Sequence, residues 1–221
     1  MKKKGIVYID GYNWYHAIFK HYPEWKWLNI QSFFEQTRHR EEIITIKMFS
    51  ALMKHDADAR DRQEKYFAAL RTLPKVQLIM GDFQPRTVTC RANCQKPYVI
   101  QDEKKTDVNL AVEMIGDAVN GACEHMIIVT GDSDVQPAVE WIARNRPAIK
   151  LSVYVPALPA EQPTRRTDYY TTKNLPVDCS FLPLDRIKDH QFNNMVRLPG
   201  ADVKYSIRPY VWKKPEPLPQ V

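Results

Sequence analysis

Acidic residues that could share one task stand in three short segments far apart in the chain. They are Tyr8-Ile9-Asp10-Gly11-Tyr12-Asn13, Lys105-Thr106-Asp107-Val108-Asn109 and Val129-Thr130-Gly131-Asp132-Ser133-Asp134. The first and third follow apolar, strand-like runs, Ile6-Val7-Tyr8-Ile9 and Met126-Ile127-Ile128-Val129. In an open α/β sheet, ligands bind beyond the carboxyl ends of the strands, where the strand order reverses. Asp10, Asp107, Asp132 and Asp134 are therefore expected at one sheet edge. Two carboxylates roughly 5 Å apart repel by about 3 kcal/mol at an effective dielectric near 20, so such a group calls for a cation. Mg²⁺ or Mn²⁺ suits an oxygen donor set; Mg²⁺ in particular keeps several waters and binds through a few carboxylates plus substrate phosphate. Its chemistry there is hydrolysis of a phosphodiester by an activated water.

Each acid alone has an ordinary explanation. Asp10 can serve as a turn residue after a strand. Asp107 can favour the helix dipole from a first turn, and Asp134 can cap a helix. Pro137 weakens the last reading, because a proline three residues after a cap has no N–H to donate. Asn13, one helical turn past Asp10, can orient a water, touch a phosphate or bond locally to cap its helix.

The elements needed to position these residues alternate along the chain. Strands are expected over 5–9, 43–50, 76–80, 126–130 and 149–155, with a short last one near 178–182. Helices are expected after Gly11 and over 30–38, 57–72, 105–119 and 135–145. On the helix over 105–119, Asp107, Ala111, Met114 and Ala118 fall on one face, with Val108 and Ile115 beside them. Strands alternating with helices argue for right-handed crossovers and a mostly parallel sheet. Residues 82–103 interrupt the alternation as a β-hairpin overhanging the site, with arms Arg86–Cys90 and Pro97–Gln101. Residues 1–156 are read as one catalytic domain and 157–221 as an extension partly packed on it. Ten of the sixteen prolines lie in the last 66 residues, and Arg208–Pro217 reads as an extended tail.

Several basic and aromatic residues are placed to hold a substrate. Lys104 and Lys105 stand just before Asp107, separated from it by Thr106, and Arg86, Arg91 and Lys96 on the hairpin extend the same surface. Tyr12 is the aromatic expected to be exposed for stacking on a base, while Trp14 and Tyr15 have the spacing of core residues. Arg165 and Arg166 are weaker candidates for a phosphate contact. The six histidines make no ligand pattern, Ser133 has no companion base, and there is no glycine-rich phosphate loop. Covalent nucleophilic catalysis is not favoured. Cys90 and Cys94 form one pair where structural zinc commonly needs two.

The chain has 221 residues, a formal charge of +6 and a pI near 9.0, which favours a polyanionic partner. The apolar run after Lys2-Lys3-Lys4 stops at Asp10, too short for a signal peptide, and no run approaches a membrane span. A cytoplasmic protein with reduced thiols and no membrane association is expected.

Asp10-Gly11-Tyr12-Asn13, Lys105-Thr106-Asp107-Val108-Asn109 and Thr130-Gly131-Asp132-Ser133-Asp134, in this order over about residues 4–156, resemble the NYN domains. They are most similar to the LabA-like bacterial branch of the PIN-like nuclease superfamily. The Cys90/Cys94 insertion before the Lys-Thr-Asp motif also looks typical of that branch. The resemblance implies a Rossmann-like three-layer sandwich of sheet order 3-2-1-4-5, a Mg²⁺ or Mn²⁺ site and endoribonuclease activity. It implies Asp10, Asp107, Asp132 and Asp134 as metal ligands, with Asn13 as helper. Many PIN-like enzymes have a glutamate among these acids; the candidates here are all aspartates. RNA is the expected partner, DNA less so, and a homodimer or a protein partner for the Pro-rich tail stays open. The rivals are a non-catalytic RNA-binding or regulatory module, and a phosphatase or phosphotransferase on a similar sheet.

Overall fold

In a computed structural model, residues 2–54, 56–90, 95–165, 167, 175–200 and 204–212 are described. Arg91, Cys94, Arg166 and the Pro-rich end after Trp212 lie outside these residues.

Strands β1 (Lys3–Asp10), β2 (Glu41–Ser50) and β3 (Val76–Met80) alternate with short helix α1 (Gly11–Trp14), α2 (Ile30–Thr37) and α3 (Ala57–Leu70). An antiparallel hairpin, β4 (Asp82–Thr89) with β5 (Pro97–Lys104), then leads into α4 (Thr106–Asn120). Strand β6 (His125–Val129), α5 (Gln136–Asn145), β7 (Lys150–Val155) and β8 (Val177–Phe181) complete the main sheet. Its order is β3-β2-β1-β6-β7-β8, with every pairing parallel. Without the hairpin this is the expected 3-2-1-4-5 arrangement, extended by β8 as a sixth strand.

Alternation along β1 builds both layers. Val7 and Ile9 pack with Trp14, Phe33, Phe34, Phe67 and Leu70, whereas Ile6 and Tyr8 pack with Leu110, Met114, Val139 and Ile142. A strand buried on both faces must be apolar throughout, which is why Ile6-Val7-Tyr8-Ile9 carries no polar alternation. The chain turns one way from β1 to β2 and the other way at β6. The crevice between the ends of β1 and β6 is therefore the switch point, with Ile9 paired to Val129.

Three expectations need correction. The buried stripe of α4 is Thr106, Leu110, Met114 and Ala118, spaced by four, and Val108 is 66% exposed on the far side. Tyr15 is not a core residue but 40% exposed. After one α-turn the chain widens into a π-turn over Tyr15–Phe19, closed by Lys20 N–H donating to Tyr15 O at 2.8 Å, and this rotates Tyr15 outward. Arg208–Trp212 is packed, not extended. Trp212 lies 6.3 Å, centroid to centroid, from both Trp27 and Tyr66, and Arg208 donates to the carbonyls of Glu24 and Trp212. Before it, β9 (Met195–Arg197) and β10 (Tyr205–Ile207) form a small antiparallel pair against α3, where Ser206 Oγ donates to Lys65 O at 2.6 Å. Among the described residues, no helix is long and apolar enough to cross a membrane.

Candidate active site

Asp10 ends β1 and is 2% exposed. Its Oδ1 accepts the N–H of Asn13 at 2.9 Å, so it also caps α1, and its Oδ2 accepts the hydroxyl of Thr130 at 2.9 Å. Gly11 makes the turn feasible: a Cβ there would sit 2.6 Å from the carbonyl oxygen of Phe49. Asn13 ties the two loops of the crevice, its Oδ1 accepting the N–H of Gly131 at 2.9 Å. Its Nδ2 has no partner among the described residues.

The loop after β6 is ordered by its own polar groups. Asp132 N–H donates to Thr130 Oγ1 at 3.0 Å, and Asp134 N–H donates to Asp132 Oδ1 at 3.0 Å. The capping role considered for Asp134 thus falls to Asp132, and the Asp134 side chain is exposed. Asp107 lies half-buried in the first turn of α4. Lys105, just before it, has a left-handed backbone (φ 76°), a strained state for a non-glycine residue. Gly81 lets the base of the hairpin close on this turn, since a Cβ would come within 2.7 Å of Lys104 O.

That closure brings in a fifth carboxylate, Glu103 of β5, which accepts a hydrogen bond from the Thr106 hydroxyl. Burial, then the charges of Asp10 and Asp107, push its pKa up to about 7 against the Thr106 bond. Asp10 is raised to about 6, first by burial and then by the charges of Asp107 and Asp132, while Asn13 and Thr130 oppose the shift. Asp107 is raised by burial, Asp132 and Asp134. The five acids thus share one negative field. Asp10, Glu103, Asp107 and Asp134 make no ion pair among the described residues.

The all-oxygen donor set fits a hard divalent cation. Among the described residues, no three His, Cys, Asp or Glu side chains converge tightly enough to enclose an ion directly. An ion that keeps several waters and takes only one or two carboxylates fits this open arrangement.

The basic candidates are distributed unequally. Arg86 and Lys104 both pair with Asp102, at 2.6 and 3.5 Å, and so partly neutralise each other's partner. Lys105 and Lys96 are exposed. Tyr12 is 42% exposed and stands edge-on to Phe83 of the hairpin, with ring centroids 6.4 Å apart. Burial and the charges of Glu103 and Asp102 raise its phenol pKa, so Tyr12 borders the acidic field.

A family model described as the NYN domain matches residues 4–174. The chain is 28% identical over 184 residues to 6-hydroxy-3-succinoylpyridine 3-monooxygenase HspA of Pseudomonas putida. That alignment covers 68% of this chain and 58% of the relative, so the chain spans under two thirds of that protein's length. A solved protein of unknown function from Vibrio parahaemolyticus is 20% identical, with a TM-score of 0.46, over 70% of this chain and 82% of the other.

Proposed function

The chain belongs to the NYN domain family, within the PIN-like nuclease superfamily, and from that premise we propose that it is a Mg²⁺- or Mn²⁺-dependent endoribonuclease of the LabA-like branch. One observation carries the reading: five carboxylates gather at the switch point, where burial and their neighbours' charges raise the proton affinity of Asp10, Glu103 and Asp107, while the described residues ion-pair with none of Asp10, Glu103, Asp107 and Asp134. Asp10 and Asp132 would hold the ion, with Asp107 and Asp134 beside them completing the acidic surroundings. When bound, the ion supplies Lewis-acid polarisation of a phosphoryl oxygen and acidifies a water. The chain's own groups do the rest. Thr130 and Asn13 N–H fix the Asp10 carboxylate, the Asn13 side-chain amide is free to donate to a phosphate or water, and Glu103, near neutrality in its proton affinity, can take a proton from the attacking side. Lys105, Lys96 and Arg91 attract flanking phosphates, with Arg86 and Lys104 secondary because Asp102 holds them. RNA is preferred to DNA as substrate, and a cytoplasmic setting suits the free thiols of Cys90 and Cys123.

A second reading, oxygenation of a small aromatic ring, takes its lead from the relative's printed reaction and from an aromatic cavity beside Asp10. The acids favour phosphate chemistry over it. A digest of mixed RNA and DNA by purified protein in Mg²⁺, Mn²⁺ or chelator, run beside Asp10→Asn, decides between them. RNA cut only with metal, and only by the wild type, is expected; no cleavage of RNA in any metal would overturn the proposal.

A further inference from the structure

Beside the acids lies a second feature that the hydrolytic reading leaves unused. A cavity of about 160 Å³ opens next to Asp10. Gly11 and Tyr12, the two residues after Asp10, form its near wall; Phe19, Met48 and Phe67 line it, and Tyr15 stands at its rim. The volume is below the ~300 Å³ at which pockets for drug-sized ligands begin, so it suits a single planar ring system.

Its polar groups give the occupant a charge. Lys26 and Arg62 both line the cavity, and neither makes an ion pair among the described residues. Lys26 Nζ lies 3.5 Å from the Tyr15 hydroxyl and over the Tyr15 ring, 4.8 Å from its centroid. Two cations without acidic partners at an aromatic hole favour a ring that carries an anion. Two other lining groups are committed elsewhere, while the His16 ring lies tilted against Tyr12 with centroids 4.4 Å apart. Gln63 accepts from Met53 N–H at 2.8 Å and donates to Ala51 O at 2.9 Å, and Tyr66 donates to Leu28 O at 2.8 Å. The walls therefore offer chiefly aromatic surface, from Tyr12, Tyr15, Phe19 and Phe67.

We propose that this cavity receives one unpaired nucleobase of the strand whose backbone crosses the acidic edge, with Lys26 and Arg62 holding the phosphate next to that base. This deepens the nuclease reading and rests on it. Tyr12 is the link, because it lines the cavity and also lies in the field of Glu103. A strand over Asp10 thus needs to turn only past Gly11 and Tyr12 to insert its neighbouring base. The site requires a single-stranded segment and is tolerant of base identity, as stacking platforms are.

The test compares two single-stranded RNA oligonucleotides, one intact and one with an abasic residue beside the cut. Binding is measured with Ca²⁺ in place of Mg²⁺, and cleavage is measured separately with Mg²⁺. Base–aromatic stacking contributes about 1–3 kcal/mol, so the intact strand should bind about fivefold to a hundredfold more tightly. The ratio should fall towards one in Tyr15→Ala and in Ala59→Phe, which fills the cavity from α3. Discrimination in binding without any cleavage would sink the nuclease reading and leave the base site standing. Equal binding of intact and abasic strands by the wild type would overturn the base site, as would tighter binding of free benzoate than of any oligonucleotide.

Discussion

Helix α4 brings carboxylates to the sheet at two levels, and the protein treats the two differently. Along its middle, Glu113 and Asp117 meet Lys47 of β2, whose Nζ lies 2.7 and 2.6 Å from their oxygens. Tyr8 of β1 donates to the same Asp117 at 2.6 Å, and burial with that bond holds its phenol well above its ordinary range. At the N-terminal end of α4, Asp107 joins Asp10 of β1 and Glu103, and no lysine or arginine among the described residues pairs with any of the three. The same helix and the same strand thus carry one carboxylate group with a built-in cation and one without. A buried charge that keeps its counter-ion serves the fold, whereas a shared negative pocket lacking one is suited to a cation that comes and goes.

The sharpest break in this comparison is Asp10→Asn. It should cut metal-dependent cleavage on the order of 10³-fold, as removal of a metal interaction of several kcal/mol implies. The fold should be retained, because the amide removes a repelled charge and keeps an acceptor for Asn13 or Thr130. Cleavage rates and circular dichroism on the same sample check both halves. Lys47→Met should do the reverse, costing about 3 kcal/mol of stability in denaturant unfolding by leaving Asp117 and Glu113 without their cation. A loss below about 1 kcal/mol would mean that the two levels do not differ as argued.

The pH dependence sharpens the contrast. Asp10 at about 6 and Glu103 at about 7 both titrate above the ordinary range near 4. Between those limits the folded protein holds protons that the unfolded chain has released, so their contribution is fully present below about pH 4 and is lost as pH rises to about 7. Metal-free wild type minus Asp10→Asn, compared by thermal melting at pH 5 and 7.5, should show wild type losing ground at the higher pH. Saturating Mg²⁺ should shrink that loss, because ions bind best to deprotonated ligands. A difference independent of pH would argue against a raised Asp10. Thr130→Ala is the mildest test. Losing one hydroxyl bond to Asp10 Oδ2 should slow cleavage about tenfold or less and move the pH profile upward; an unmoved profile would leave Thr130 with no part in tuning the acid.

The strands and the aspartates that end them could be read from the sequence because both signals are local: an apolar run followed by Asp and Gly. Glu103 could not, since its place depends on the hairpin register that pairs it with Phe83 and on the close approach that Gly81 allows. Tyr15 was misplaced because helical spacing assumes 3.6 residues per turn and the chain here makes a π-turn. Trp212 found its partner in Trp27, near the opposite end of the chain, where composition alone suggested only a proline-rich tail. The Lys47 network is likewise invisible to periodicity, because it joins β2 to two turns of α4.

Titrating Mn²⁺ into the wild type and Asp10→Asn, followed by calorimetry in buffers of different ionisation enthalpy, asks directly whether the unpaired acids form a cation site. Saturable binding with proton release in the wild type, weakened at least about tenfold in the variant, is the predicted result. Equal affinity in the two proteins, or no binding by either, would contradict it.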